Sequence, residues 1–301
     1  MTWNFDQYTI RPRYKNEVIQ LTVETKQLDM LVEFSKLEEL PPMLSISNIA
    51  FLPIFPDELA SVPMHVARSG VFGPSGEDDG GRYYHDAPFY KDDKIVLKFS
   101  GHSLNQDDAD VFMAVLRLTK GGKAGMDGRI RTMRAYLVDE LGWPRSGKNY
   151  GRLLSSLKRL TESLFYYETL NKDSSAPVER SKPLRMFEYD QNGDYLMLWI
   201  PKESMMLFEH NGFLNWEKRL SIAPRNGLAK AIQLYTAGLV DVKEVRMPLS
   251  ELKVITRSKS PESKYRISVQ RAFEELERVN VLENTWIRKE SGDWYCGWMI
   301  K

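Results

Sequence analysis

The chain has 301 residues, a formal net charge of +1, 28% charged and 42% hydrophobic residues, and a single cysteine. That length exceeds what one core usually serves, so two folded domains and an extension are expected, and the near-neutral balance excludes attachment to nucleic acid by bulk charge alone. One cysteine excludes an intramolecular disulfide and fits a reducing cytosol; no apolar run reaches the ~18 residues of a membrane span, and the start, with Asp6, Arg11, Arg13 and Lys15, has no signal-peptide core. A cytoplasmic chain with no membrane partner is the expectation.

Val18 to Val23 alternates as a strand does and Lys26 to Leu37 suits a helix, while Pro41, Pro42, Pro53 and Pro56 interrupt the stretch beyond. Residues 1–92 therefore read as a partly ordered extension. Within it Gln27, Leu28, Asp29, Met30 and Leu31 resemble the Q-L-x-L/M-F/L pentapeptide that docks bacterial proteins on the replicative sliding clamp by seating its apolar pair in a groove. Leu28, Leu31 and Phe34 would equally serve as the inner face of a small helix. Residues 73–93, rich in glycine, aspartate and tyrosine, are expected as a loop before a strand at Lys94–Phe99.

A first winged-helix domain is expected over residues 93–217. Asn105 is placed to cap a helix whose first turn carries Asp107, Asp108 and Asp110, the sign that its dipole favours, and Gly121 and Gly122 end it. A strand at Arg129–Met133, a helix at Ala135–Leu141 and a third helix at Asn149–Ser163 come next, the last striped by Tyr150, Leu153, Leu154, Leu157 and Leu160. Leu164–Leu170, Leu184–Tyr189 and Tyr195–Ile200 read as strands, with Asn171–Pro183 as a polar wing tip. Between Val111 and Leu170 eleven Lys and Arg stand against five Asp and Glu. Lys148, Arg152, Ser155 and Arg159 lie away from the apolar stripe, where they suit the DNA backbone as well as they suit a solvated face.

Residues 218–301 repeat the order. Leu228, Ile232, Leu234, Tyr235 and Leu239 recur at helical spacing, with Gly238 and Pro248 beyond; Pro248–Thr256 reads as a second helix. Ser258 and Ser260 are placed as caps, with Pro261 in the first turn, of a third helix running to about Val279. Its period turns Tyr265, Val269, Ala272, Phe273 and Leu276 inward. The opposite face carries Ser263, Lys264, Ile267, Gln270 and Arg271, a mixture of donors, positive charge and one aliphatic group able to meet a thymine methyl in a major groove. Arg257, Lys259 and Lys264 are the expected phosphate contacts and Gln270 and Arg271 the expected base contacts; a shift of one turn exchanges these roles. Asn284–Lys289 and Asp293–Ile300 alternate about Glu290, Ser291 and Gly292 as the wing. The fold class expected is α+β, two tandem winged-helix domains with an N-terminal extension.

Leu228, Ala229, Lys230, Tyr235, Arg271 to Leu276 and Trp286 resemble the C-terminal domain of plasmid replication initiators, most closely the TrfA family. Ala67 to Phe72 is similar to that family's RSALF element, with Gly70 in place of alanine, and Ser103 to Asp108 to its L-x-Q-x-D helix opening. The resemblance implies binding of repeated origin sites (iterons) in double-stranded DNA, opening of an adjacent A·T-rich segment, and recruitment of the host replicative helicase and sliding clamp. It also implies a monomer–dimer equilibrium, with the first domain serving dimerisation and backbone contact and the second reading bases. A winged-helix transcriptional repressor is the alternative.

Residues that imitate other chemistries fall short of it. Gly142 to Asn149 resembles a phosphate-binding loop, but Asn149 lacks the hydroxyl that would ligate magnesium and Pro144 removes an amide donor. His65, His85, His102 and His210 show no ligand spacing, and Cys296 reads as a buried thiol in an aromatic strand. No catalytic residue, metal or cofactor is expected.

Overall fold

The computed structural model describes residues 8–10, 19–21, 55–74, 81–119, 129–170, 177–180, 188–200, 207–208 and 210–301. The chain divides into two compact units, Met1–Ala50 and Phe51–Lys301. In the first, β1 (Tyr8–Ile10) and β2 (Ile19–Leu21) pair antiparallel; β2 lies inside the strand expected at Val18–Val23. The Gln27–Leu31 pentapeptide lies outside the described residues.

The second unit begins before the expected boundary at residue 92. β3 (Leu59–Pro63), α1 (Met64–Arg68) and β4 (Phe72–Gly73) place Ala60, Val62, Val66, Ala67, Val71 and Phe72 in its first core, so packing shows no break at 92. β5 (Tyr83–Lys91) corrects the expected loop. Glycine and aspartate cluster before it, whereas Tyr83, Tyr84, Phe89 and Tyr90 have the aromatic character of a strand and pair with β6 (Ile95–His102). Asp86, at φ +51, sits where the register of that pair shifts.

After β7 (Leu104–Asn105), α2 (Gln106–Thr119) opens on a reciprocal cap. The Asn105 side chain accepts from the backbone N–H groups of Asp107 and Asp108, and Asp108 accepts from the Asn105 N–H at 3.0 Å. β8 (Arg129–Met133), α3 (Arg134–Glu140) and α4 (Gly147–Glu162) come next, with Leu153, Leu157 and Leu160 buried as the stripe requires. Here the expected wing needs correction. β9 (Leu164–Leu170) leaves the domain's sheet and joins β10 (Pro177–Arg180), β6 and β5 in a separate four-stranded sheet. The wing is β11 (Glu188–Asn192) and β12 (Tyr195–Trp199), with β12 beside β8.

β13 (Asn211–Asn215) returns to pair with β3 and leads through α5 (Trp216–Ser221) into the second domain. There α6 (Gly227–Ala237), β14 (Glu244–Pro248), α7 (Leu249–Ile255), α8 (Glu262–Arg278), β15 (Leu282–Glu290) and β16 (Asp293–Ile300) surround the second core in the order expected of a winged helix. Its sheet order, first strand beside third and third beside second, is that of β8, β12 and β11. The wing turns at Ser291 and Gly292, both at positive φ, which suits the twist of a two-residue hairpin. Pro261 itself occupies the cap position of α8 and no side chain caps it, so Ser258 and Ser260 do not take the role expected of them.

Two cores meet on α6. Leu234 belongs to the first and Ala229, Ile232 and Tyr235 to the second, so this helix is buried all round rather than on one face. Its polar members must then be satisfied internally. Lys230 pairs with Asp110 of α2, and the wholly buried Arg219 of α5 donates to Asp110 at 2.7 Å, to the Lys230 carbonyl at 2.6 Å, and to Gln106 at 2.6 Å. Gln106 in turn donates to the Phe72 carbonyl at 2.7 Å. Burial alone would raise the Asp110 pKa, but Arg219 and Lys230 together hold it below the ordinary 3.8. A carboxylate with a lowered folded pKa contributes stability that is full above its unfolded value and lost as pH falls through the folded one. Asp110→Asn should cost about 3–5 kcal/mol by leaving two cations buried without their counter-charge. Urea unfolding followed from about pH 5 to about pH 2 should also lose part of its acid dependence in this variant.

Candidate nucleic-acid interface

The two helices that would face DNA, α4 and α8, occupy equivalent places in their domains but are built differently. α8 is held by its buried side. Tyr265, Val269, Ala272, Phe273 and Leu276 enter the second core, and the Tyr265 hydroxyl meets Thr256 Oγ1 at 2.8 Å, fixing the turn from α7. Ser263, Lys264, Ile267, Gln270 and Arg271 are exposed together on the outer side, as the helical period requires. Among the described residues Lys264 and Arg271 make no ion pair. Gln270 Nε2 donates to Glu274 at 3.2 Å. Lys259 is exposed in the turn before the helix.

Arg257 stands elsewhere. It takes φ +54 and turns its guanidinium into the first half of the unit, donating to the Val71 carbonyl at 2.8 Å and to the Tyr84 and Ser103 hydroxyls at 3.0 Å each. It also lies over the Tyr84 and Phe89 rings at 5.3 and 5.4 Å. In place of the expected phosphate contact, its guanidinium ties the turn before α8 to Val71 just ahead of β4, to β5 and to Ser103 just ahead of β7. Gly70 is part of the same junction. At φ +67, a Cβ on it would stand 2.0 Å from the Ile255 carbonyl oxygen, so only glycine fits here.

On α4 the structure separates the four expected backbone contacts. Lys148 and Ser155 are exposed. Arg152 instead makes a bidentate pair with Asp107 and stacks 3.9 Å from the Trp143 ring centre, and Arg159 holds the buried Asp108 by two bonds of 2.6 and 3.1 Å. These arginines fasten α4 to the start of α2. Burial outweighs Arg159 at Asp108 and leaves its pKa raised. The surplus of positive charge between Val111 and Leu170 is reduced in the same way, since Arg117, Arg134, Arg145, Arg152, Lys158 and Arg159 all have carboxylate partners.

Between α8 and the wing lies a recess of about 450 Å³ to which Arg266, Ile287, Trp294 and Glu274 contribute as well as Ile267, Gln270 and Arg271. Arg266 stacks on Trp294 at 4.0 Å. The wing's share was accessible to strand parity: Cys296 and Trp298 point inward, so Trp294 shares their side. Arg288 of β15 lies over Trp286 and Arg246 of β14 over Tyr295, and both are paired with Glu290.

The loop that imitates a phosphate site is a helix lead-in. Ser146 accepts from the Asn149 N–H, and the Asn149 side chain donates to the Pro144 carbonyl at 2.7 Å. Cys296 is buried, and its thiol is pushed up to about 12 by burial, with the Glu251 charge adding to it. The structure brings His65 and His210 together at 6.2 Å among Tyr90 and Tyr167, yet no three metal-binding side chains converge among the described residues. No helix among them is long and apolar enough to cross a membrane.

The family model for TrfA protein matches residues 14–293. The chain belongs to the TrfA family. No curated protein is a significant sequence match. Among solved structures, domains 2 and 3 of RctB are similar with a TM-score of 0.54 at 12% identity, covering 79% of this chain and 98% of that one. The Pi initiator protein in complex with iteron DNA has a TM-score of 0.51 at 9% identity, covering 82% and 99%. At such identity the likeness establishes a shared fold, which for this TrfA-family chain is a mixed α and β arrangement.

Arg159→Ala should lower stability by about 1–3 kcal/mol, because it strands a buried carboxyl, and leave the salt dependence of duplex binding unchanged. Lys264→Ala should do the reverse, lowering the slope of log affinity against log salt by about 1 at little cost in stability. Chemical unfolding and a salt titration of both variants separate the two roles.

Proposed function

We infer that this TrfA-family chain is a plasmid replication initiator that binds iterons in double-stranded DNA and has no enzymatic activity of its own. The observation that carries the reading is the outer face of α8. It is an exposed row of donors and positive charge on a helix whose opposite side is locked in the core, with a wing beside it. A helix of this size fits a major groove, where phosphate contacts fix register and a few side chains read base edges. The Pi initiator, which has the same fold, is known in complex with iteron DNA, and that supports the same ligand here.

In this reading Lys259 and Lys264 hold phosphates, and Gln270 and Arg271 read bases. Lys148 and Ser155 of α4 add backbone contact from the first domain, which also serves dimerisation. Arg152 and Arg159 position α4 rather than touch DNA. Bound monomers promote opening of an A·T-rich neighbour and recruit the host helicase and sliding clamp, the clamp through Gln27, Leu28, Asp29, Met30 and Leu31.

Fluorescence anisotropy on duplex repeats from the DNA flanking the gene, against scrambled duplex, tests this. The chain should prefer the repeats, and Arg271→Ala should reduce that preference by about 1–3 kcal/mol for each base interaction it removes. Equal binding to both duplexes that vanishes with salt would leave only phosphate attraction and defeat the reading.

A further inference from the structure

We propose that the recess between α8 and the second wing reads the 5-methyl group of a thymine, an inference that rests on the initiator reading. Three side chains make its apolar wall: Ile267 from α8, Ile287 from β15 and Trp294 from β16. Ile267 is 51% exposed in the middle of an otherwise polar face. A single exposed aliphatic residue is ordinary, but this one continues into a wall supplied by a different element, which makes it a receptor for a small apolar group.

The rim fits DNA rather than a free apolar ligand. Arg271 flanks the recess and Lys264 stands one turn before Ile267, both exposed and positive, as a phosphate polymer requires. The Arg266 guanidinium stands over the Trp294 ring at 4.0 Å, and both line the recess. Glu274, which also lines the recess, accepts from Gln270 through Oε1 at 3.2 Å. Of the four bases only thymine presents a methyl group in the major groove, and the recess supplies an apolar surface adjoining the base-reading row.

Deoxyuridine differs from thymidine by that methyl alone. Repeats in which each thymine in turn is replaced by deoxyuridine should show one position at which affinity falls about fourfold, the value of one buried methyl. Ile267→Ala should bind the unmodified repeat several-fold more weakly and no longer distinguish the two bases at that position, while Ile267→Val keeps the distinction. Ile267 points outward, so neither variant endangers the fold. Preference for the repeats with no thymine position sensitive, or sensitivity that survives in Ile267→Ala, would overturn the methyl reader and leave the initiator intact. Failure of the unaltered chain to prefer repeats over scrambled duplex would overturn both.

Discussion

The arrangement depends on one buried carboxylate. Asp110 receives Arg219 and Lys230, neither more than slightly exposed, and the chain of donors runs on through Gln106 to the Phe72 carbonyl. Buried charges are tolerable only when both ions are paired and their remaining donors are used, and Arg219 meets that condition with four bonds to Asp110, Lys230, Gln233 and Gln106. One residue from each of three stretches that carry the family resemblance converges there. Phe72 closes the RSALF-like element, Gln106 belongs to the L-x-Q-x-D opening, and Lys230 comes after Leu228 and Ala229. Three signatures that look separate in sequence are one network joining α2, α5 and α6.

That network, with Arg257 and Gly70, decides where α8 stands relative to the first domain. α6 is shared by both cores, Arg257 ties the turn before α8 to Val71, Tyr84 and Ser103, and Gly70 allows the Ile255 carbonyl to approach closely. A reading helix is useful only if its angle is fixed, since base contacts require side chains to be placed within a fraction of an ångström. Cations turned inward supply that rigidity, Arg219 and Lys230 on Asp110 and Arg257 on the Val71 carbonyl and two hydroxyls. The row on α8 stays exposed.

Much of this was legible in sequence, because period decides burial. The inward residues of α8, the stripe of α4 and the wing turn at Ser291 and Gly292 come from spacing and turn chemistry alone. The failures needed three dimensions. Charge on Arg152, Arg159 and Arg257 is the same in sequence whether it meets phosphate or Asp107, Asp108 and the Tyr84 hydroxyl. β9 reads as a wing strand until its partner is known, and its partner is β6, more than sixty residues earlier. Residues 83–91 were obscured by the glycine and aspartate ahead of them. Arg219 gave no local signal, since an arginine in a short helix usually lies on the surface.

Chemical interference mapping on a single repeat tests most directly whether α8 reads base edges in the major groove. Guanine N7 methylation should block binding at a short run of positions on one face of the duplex, flanked by phosphates whose ethylation also interferes. Interference by phosphate ethylation alone, with every methylated guanine tolerated, would contradict the account.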